Sequence, residues 1–116
     1  MERYTAALAG NPNVGKSTVF NALTGLHQHT GNWCGKTVAA AEGRCACGGA
    51  EFRLVDLPGT YSLYAHSPEE AVTDEFLRRG EADVTVLVAD ATCLRRNLQL
   101  AVQLRCRTGR LVVCVN

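Results

Sequence analysis

Residues 10–17 read GNPNVGKS, a glycine, four further residues, then Gly-Lys-Ser. The pattern G-x-x-x-x-G-K-[ST] suits one chemistry, the capture of a polyphosphate. Gly10 and Gly15 let the backbone wrap closely, so that successive N–H groups point inward. Lys16 adds a point charge for the β- and γ-phosphates, and the Ser17 hydroxyl faces Mg²⁺. Asn11, Pro12, Asn13 and Val14 complete the loop, and Thr18 carries it into the next element. A second carboxylate signal follows in FRLVDLPG, where Asp56 ends an apolar run and Gly59 comes three residues later. A carboxylate at the C-terminal end of a parallel strand stands at the ligand edge of such a sheet. In P-loop proteins it helps to hold Mg²⁺, and Gly59 can bring a bare backbone N–H to a γ-phosphate. Thr60 stands where many GTPases place a water-orienting glutamine, which predicts slow intrinsic hydrolysis or a water held from elsewhere.

These residues need a strand before each loop and a helix after the first. YTAALA at 4–9 is a short apolar run ending in Gly-Asn-Pro, a buried strand and a loop. Val19, Phe20 and Leu23 fall at helical spacing after Lys16, and Gly25 closes the segment. Residues 37–56 read as two strands around Gly48-Gly49. In SPEEAVTDEFLRRG, Ser67 is an N-cap, Pro68 suits the first helical position and Glu70 completes a capping box, with Val72 and Phe76 inward. ADVTVLVAD is a buried strand, Leu94, Leu98 and Ala101 mark the inward stripe of a helix with its arginines opposite, and RLVVCVN is a last strand. Apolar strands alternating with amphipathic helices predict an α/β fold with a mostly parallel sheet covered on both faces and one antiparallel hairpin strand.

The stretch HTGNWCGKT, residues 29–37, contains the only tryptophan, in surroundings too polar and glycine-rich for a core element. It lies between the first helix and the hairpin, where Ras-like GTPases carry switch I. Thr37 is the candidate to close over Mg²⁺ and the γ-phosphate, with Gly35 and Lys36 beside it. Gly31 and Gly35 permit a loop that orders with nucleotide.

GNPNVGKSTVFNALTG, HTGNWCGKTV, DLPGTYSL, SPEE and VADATCLRRNLQLAVQL together resemble the N-terminal G domain of the ferrous-iron transporter B family, FeoB. The likeness runs over essentially the whole of residues 1–116 and implies a three-layer P-loop NTPase of the Ras-like type. It implies GTP and GDP as ligands, slow K⁺-stimulated GTP hydrolysis, and Mg²⁺ and K⁺ as cofactors. In related potassium-dependent GTPases the asparagine at the place of Asn13 helps bind the K⁺, which acts where others use an arginine finger. Such a cation offsets charge developing beside the phosphates. The switch I backbone of the family, here Gly31, Asn32 and Trp33, completes that ion's shell, and Trp33 then anchors or caps the loop. Where Cys34 and Lys36 stand, members of the family usually carry proline and valine. Proline would stiffen the loop, so Cys34 loosens it. The resemblance further implies a covalently linked membrane domain that moves Fe²⁺, small accessory Feo proteins as partners, and a place on the cytosolic face of the bacterial inner membrane.

Asn116 falls where the asparagine of the Asn-x-x-Asp base-recognition motif belongs. The aspartate, the later G-domain elements and the membrane domain are expected outside this chain, which should then be a soluble fragment that exposes one sheet edge. Two other readings stay open: a soluble potassium-dependent GTPase acting on RNA or ribosomes, and a non-enzymatic phosphate- or partner-binding module. The net charge of +1 offers no strong field for nucleic acid. No apolar run approaches the roughly 20 residues that span a bilayer, and the N-terminus lacks the pattern of a signal peptide. Of the six cysteines, Cys93, Cys106 and Cys114 are expected to act as small core hydrophobes. Cys45 and Cys47 with His27, His29 and His66 lack the spacing of a metal site.

Overall fold

The computed structural model describes residues 2–25, 28–64 and 66–116. Strand β1 (Glu2–Ala9) leads through the glycine-rich loop to helix α1 (Lys16–Thr24), then β2 (Gln28–Asn32), β3 (Ala39–Cys47) and β4 (Ala50–Asp56). Helix α2 (Pro68–Arg78), β5 (Val84–Ala89), a single 3₁₀ turn (Ala91–Cys93), α3 (Leu94–Arg105) and β6 (Leu111–Val115) follow. The six strands among the described residues form one sheet in the order β2-β3-β4-β1-β5-β6. β1 runs parallel to both β4 and β5, and β5 parallel to β6. β3 is antiparallel to both its neighbours, so it alone runs against the rest.

The alternation of β1 explains the layers. Ala7 and Ala9 face one side with Val55, Leu57 and Leu87, where Phe76 and Leu77 of α2 and Leu100 and Leu104 of α3 cover them. Ala6 and Leu8 face the other with Leu54, under Phe20 of α1. The small β1 residues let the helices come close to the sheet, and all of them are almost solvent-free. This is the three-layer α/β arrangement, with a mostly parallel sheet, that the alternating elements predict.

Several local expectations need correction. The segment that opens HTGNWCGKT is not loop throughout: residues 28–32 pair with β3 as an exposed edge strand, Gly31 opposite Ala40 and Asn32 opposite Ala39. Its polarity misled because an edge strand with both faces wet carries no apolar alternation. Helix α3 buries Asn97, Leu100 and Leu104, whereas Leu94 and Leu98 are exposed. A polar residue sets that rotation: Asn97 accepts a hydrogen bond from the Asp90 N–H at 3.1 Å and donates to the Cys93 carbonyl at 2.7 Å. The helix arginines Arg95, Arg96 and Arg105 are exposed all the same, as expected of a solvated face, and Arg96 stacks over the Tyr61 ring at 4.1 Å. Leu23 is likewise exposed while Thr24 is buried, its hydroxyl donating to the Phe20 carbonyl at 2.9 Å. Cys93 and Cys106 are exposed and Cys114 is half-buried, so none is a core residue. The expected cap of α2 is half realised. Ser67 Oγ accepts from the Glu70 N–H at 3.1 Å, but the Glu70 carboxylate turns away to accept from the His66 N–H at 2.8 Å and the Ser62 hydroxyl at 2.7 Å.

Asp74 ties the two helices on the larger core. It accepts from Arg78 Nε at 2.8 Å within α2 and from Arg107 Nε at 2.7 Å just after α3. Burial pushes its carboxyl up, but the hydrogen bonds from Arg107 and Arg78 outweigh this and hold it below the usual aspartate range. A carboxyl depressed in the folded state stabilises above its unfolded value, and that stability goes as pH falls through the lower folded value. Asp74→Asn is expected to cost about 1 kcal/mol at neutral pH. The difference from wild type, followed by urea unfolding, should vanish once pH drops below the ordinary aspartate range.

Candidate nucleotide-binding site

Gly10 to Ser17 bridge β1 and α1 at the carboxyl edge of the parallel strands. Two residues of the loop take positive φ, Asn13 at 65° and Gly15 at 88°, which turns successive peptide N–H groups toward a common centre. The close approach needs glycine at Gly10, where an added Cβ would stand 2.8 Å from the Val88 carbonyl oxygen. Asn11, Pro12, Asn13, Gly15, Lys16, Ser17 and Gly59 line an open cavity of about 500 Å³. Val14 is buried beneath the loop, Thr18 is exposed on the first turn of α1, and Asn11 is buried with its Oδ1 unpartnered among the described residues.

The register of the parallel pair places the two charged groups together. Leu8 of β1 is level with Asp56 of β4, and the Leu57 N–H donates to the Leu8 carbonyl at 2.9 Å. Lys16 Nζ pairs there with Asp56 Oδ1, both side chains being mostly buried. The Thr60 N–H donates to the Gly10 carbonyl at 3.0 Å, which stitches the loop after β4 to the phosphate loop. Gly59 lies so near Pro12 that an added Cβ would be 3.1 Å from its Cα. Thr60 itself is buried, so its side chain is not offered to the cavities on either side.

Lys16, Asp56 and Gly59 also border a second cavity of about 560 Å³, shared with Thr30, Gly31 and Thr37. Thr37 and Gly31 therefore face the same space as the ion pair. Gly35, at φ 70°, occupies the third position of a turn in which the Lys36 N–H donates to the Trp33 carbonyl at 2.8 Å. A positive φ there defines a type II turn, whose second position favours proline. Cys34 holds that position here, and the turn closes without proline. Gly35 and Lys36 are exposed and border neither cavity just described. Asn32 and Trp33 also lie outside them. Trp33 is half-buried and packs edge-on against Phe76 of α2, ring centroids 5.7 Å apart.

Asn116 reaches the phosphate loop from the opposite side. Its Nδ2 donates to the Val14 carbonyl at 3.1 Å, and its backbone bonds to Ala89 and Ala91. Two residues outside both cavities hold the loop that follows Gly59. Glu70 gathers Ser62 and the His66 N–H into the loop before α2, and Gln103 of α3 accepts from the Leu63 N–H at 2.6 Å. Only the Glu-Glu pair after Ser67-Pro68 hinted at the first. Among the described residues no three His, Cys, Asp or Glu side chains converge on a possible metal position, and His27 lies outside the described residues.

A strand, a phosphate loop opening a helix, and a strand-end aspartate salt-bridged to the loop lysine define a P-loop nucleotide-binding domain of the G-domain type. Comparison with known proteins gives the family. Residues 4–116 match the family model described as ferrous iron transport protein B. The chain is 50% identical over 104 residues to the Fe(2+) transporter FeoB of Methanocaldococcus jannaschii, covering 90% of this chain and 16% of that protein. It superposes on the G domain of the T. maritima FeoB iron transporter with a TM-score of 0.96 at 39% identity, covering 98% of this chain and 72% of that one. The cytosolic domain of the same transporter in a GDP form matches with a TM-score of 0.92 at 40% identity, over 97% of this chain and 44% of that one. The chain belongs to the FeoB family and has the fold of its G domain.

Gly15 is where backbone and packing demands coincide, since an added Cβ would stand 2.3 Å from Asn116 Nδ2 on a left-handed backbone. Gly15→Ala is expected to lower stability by about 1–3 kcal/mol. Adding Asn116→Ala should recover part of that loss by removing the clash, leaving the backbone strain, as read by thermal unfolding of the two variants.

Proposed function

We propose that this chain is the GTP-binding part of a ferrous iron transporter, taking up GTP and GDP and hydrolysing GTP slowly with Mg²⁺ and K⁺. The observation that carries this reading is the Lys16–Asp56 pair, set where the two cavities meet. A mostly buried pair is costly to break by loss of one partner. A magnesium triphosphate avoids that cost by supplying both replacements together, anionic oxygens for Lys16 and a cation for Asp56. The donors present, Ser17, Thr37 and Asp56, are all oxygens, which suits a hard cation. Bound Mg²⁺ would offset the charge on the phosphates. Lys16 and the loop N–H groups hold the phosphate tail, Gly59 presents its N–H at the shared wall, and Thr37 closes the far side. Gly10, Asn11, Pro12, Val14 and Thr18 shape or flank the cradle, and Asn116 braces it from below. With Thr60 buried, the attacking water must be held by other groups, in keeping with slow turnover.

K⁺ is assigned to Asn13, which is exposed at the rim of the phosphate cavity on a left-handed backbone, with Gly31, Asn32 and Trp33 as the switch I side of its shell. Gly35 and Lys36 contribute through the turn that carries Thr37. The curated relatives are much longer than the stretch matched here, so the rest belongs to the whole protein: a covalently linked membrane domain that moves Fe²⁺, accessory proteins, and a station on the cytosolic face of the membrane.

Calorimetric titration of the full-length protein with GTP and Mg²⁺ should show binding that Lys16→Ala weakens by at least about a hundredfold. Phosphate release should be faster in K⁺ than in Na⁺, and Asn13→Ala should erase that difference while GDP binding persists. Absence of GTP binding would remove the nucleotide assignment, and equal rates in the two salts would remove K⁺ alone.

A further inference from the structure

We infer that Trp33 is a positioning residue for hydrolysis: its seat against Phe76 of α2 sets where Thr37 stands, and so controls the rate of the chemical step more than nucleotide affinity. The inference rests on the GTPase reading above and adds a residue to it.

Three observations converge on Trp33. Its backbone brackets the loop that bears Thr37. The Trp33 N–H donates to the Val38 carbonyl at 2.9 Å, and its carbonyl accepts from the Lys36 N–H. Thr37 therefore lies inside a short ring of chain whose neck is Trp33. Thr37 itself is exposed, so the attachment of this ring governs where its hydroxyl stands.

The side chain supplies that attachment. The indole meets Phe76 edge-on at 5.7 Å with the ring planes at 70°, the geometry that aromatic quadrupoles favour. Phe76 is buried in the larger core, and Trp33 packs at the margin of that same cluster. Helix α2 is in turn bound to the loop bearing Gly59, because Glu70 takes the Ser62 hydroxyl and the His66 N–H. The two loops that face the cavity around Asp56 are thus joined outside it, through one aromatic pair and one helix.

The seat is imperfect in a telling way. Among the described residues, Trp33 Nε1 is buried with no hydrogen-bond partner. A small cavity of about 50 Å³, lined by Trp33, Cys34, Val72, Glu75, Phe76 and Arg79 among others, adjoins the ring. An orphaned buried donor disfavours the seated position relative to one where the N–H meets an acceptor or water. An aromatic contact that leaves its polar atom unpaired suits an element with two resting places. Ligand contacts at Thr37 can then decide between them.

Trp33 is the only tryptophan of residues 1–116, so the part of the full-length protein's indole fluorescence that is lost in Trp33→Phe reads the seat. In the full-length protein, Trp33→Ala is expected to slow single-turnover hydrolysis about tenfold, since small misplacements of a contacting group cost rate. GDP affinity should change less than about twofold, because the phosphate loop is untouched. Trp33→Phe keeps an aromatic edge and should retain most of the rate. Phe76→Leu keeps an apolar though smaller side chain in the core, should slow hydrolysis similarly, and should raise acrylamide quenching of the Trp33 component. Combining Phe76→Leu with Trp33→Ala should add nothing further, the sign of a shared interaction.

Hydrolysis in Trp33→Ala equal to wild type, or lost in parallel with GDP binding, would overturn the inference while leaving the GTPase assignment standing. A wild-type protein that takes up no nucleotide would remove the assignment itself, and this inference with it.

Discussion

The Lys16–Asp56 ion pair is the point on which the structure turns. It joins the first residue of α1 to the last of β4, and so links the two strand ends that the parallel pairing of β1 and β4 brings level. Charges this far from solvent need partners, and each is the other's partner here. The pair thereby fixes the mouth of the sheet in a form that is both closed and exchangeable. An anion and a cation arriving together can replace both halves without leaving either charge bare.

The surroundings follow from that requirement. The phosphate loop must crowd the strand ends, hence glycine at Gly10 beneath the Val88 carbonyl and at Gly59 against Pro12. β1 must lie at the middle of the sheet with helices near both faces, hence its alanines. Asn116 supports the loop from the end of β6 through the Val14 carbonyl. Each feature is a packing or hydrogen-bonding device, and together they hold a short stretch of irregular backbone in a conformation it would not keep alone.

Much of this was legible in the sequence. The phosphate loop, Asp56 and Gly59 announce themselves because close backbone approach and a strand-end carboxylate permit few residue types. The buried strands were equally clear from their apolar runs. β2 was not, because Gln28 to Asn32 have no apolar face to alternate. The rotation of α3 was hidden for the opposite reason: Leu94 and Leu98 looked like the inward stripe, whereas Asn97 takes the buried position through two backbone hydrogen bonds that no periodicity reveals. Trp33 stood out as a lone aromatic, but its partner Phe76 lies far along the chain, and only the fold brings them together. Glu70 looked like one half of a cap, and its other loyalties, to Ser62 and His66, depend on the path of the preceding loop.

The turn at Gly48-Gly49 lies at the opposite end of β3 and β4 from the phosphate loop, yet it acts as the ruler for it. With φ of 57° and 80°, the two glycines form a tight reversal that sets Cys47 against Ala50. From there the pairing counts along to Ala41 opposite Asp56. One residue more or fewer in that reversal would throw the strands out of phase by about 3.4 Å and turn every side chain of the shifted strand to the wrong face. The spacing between Thr37 and Asp56 is thus measured out by a pair of residues that border neither cavity of the site.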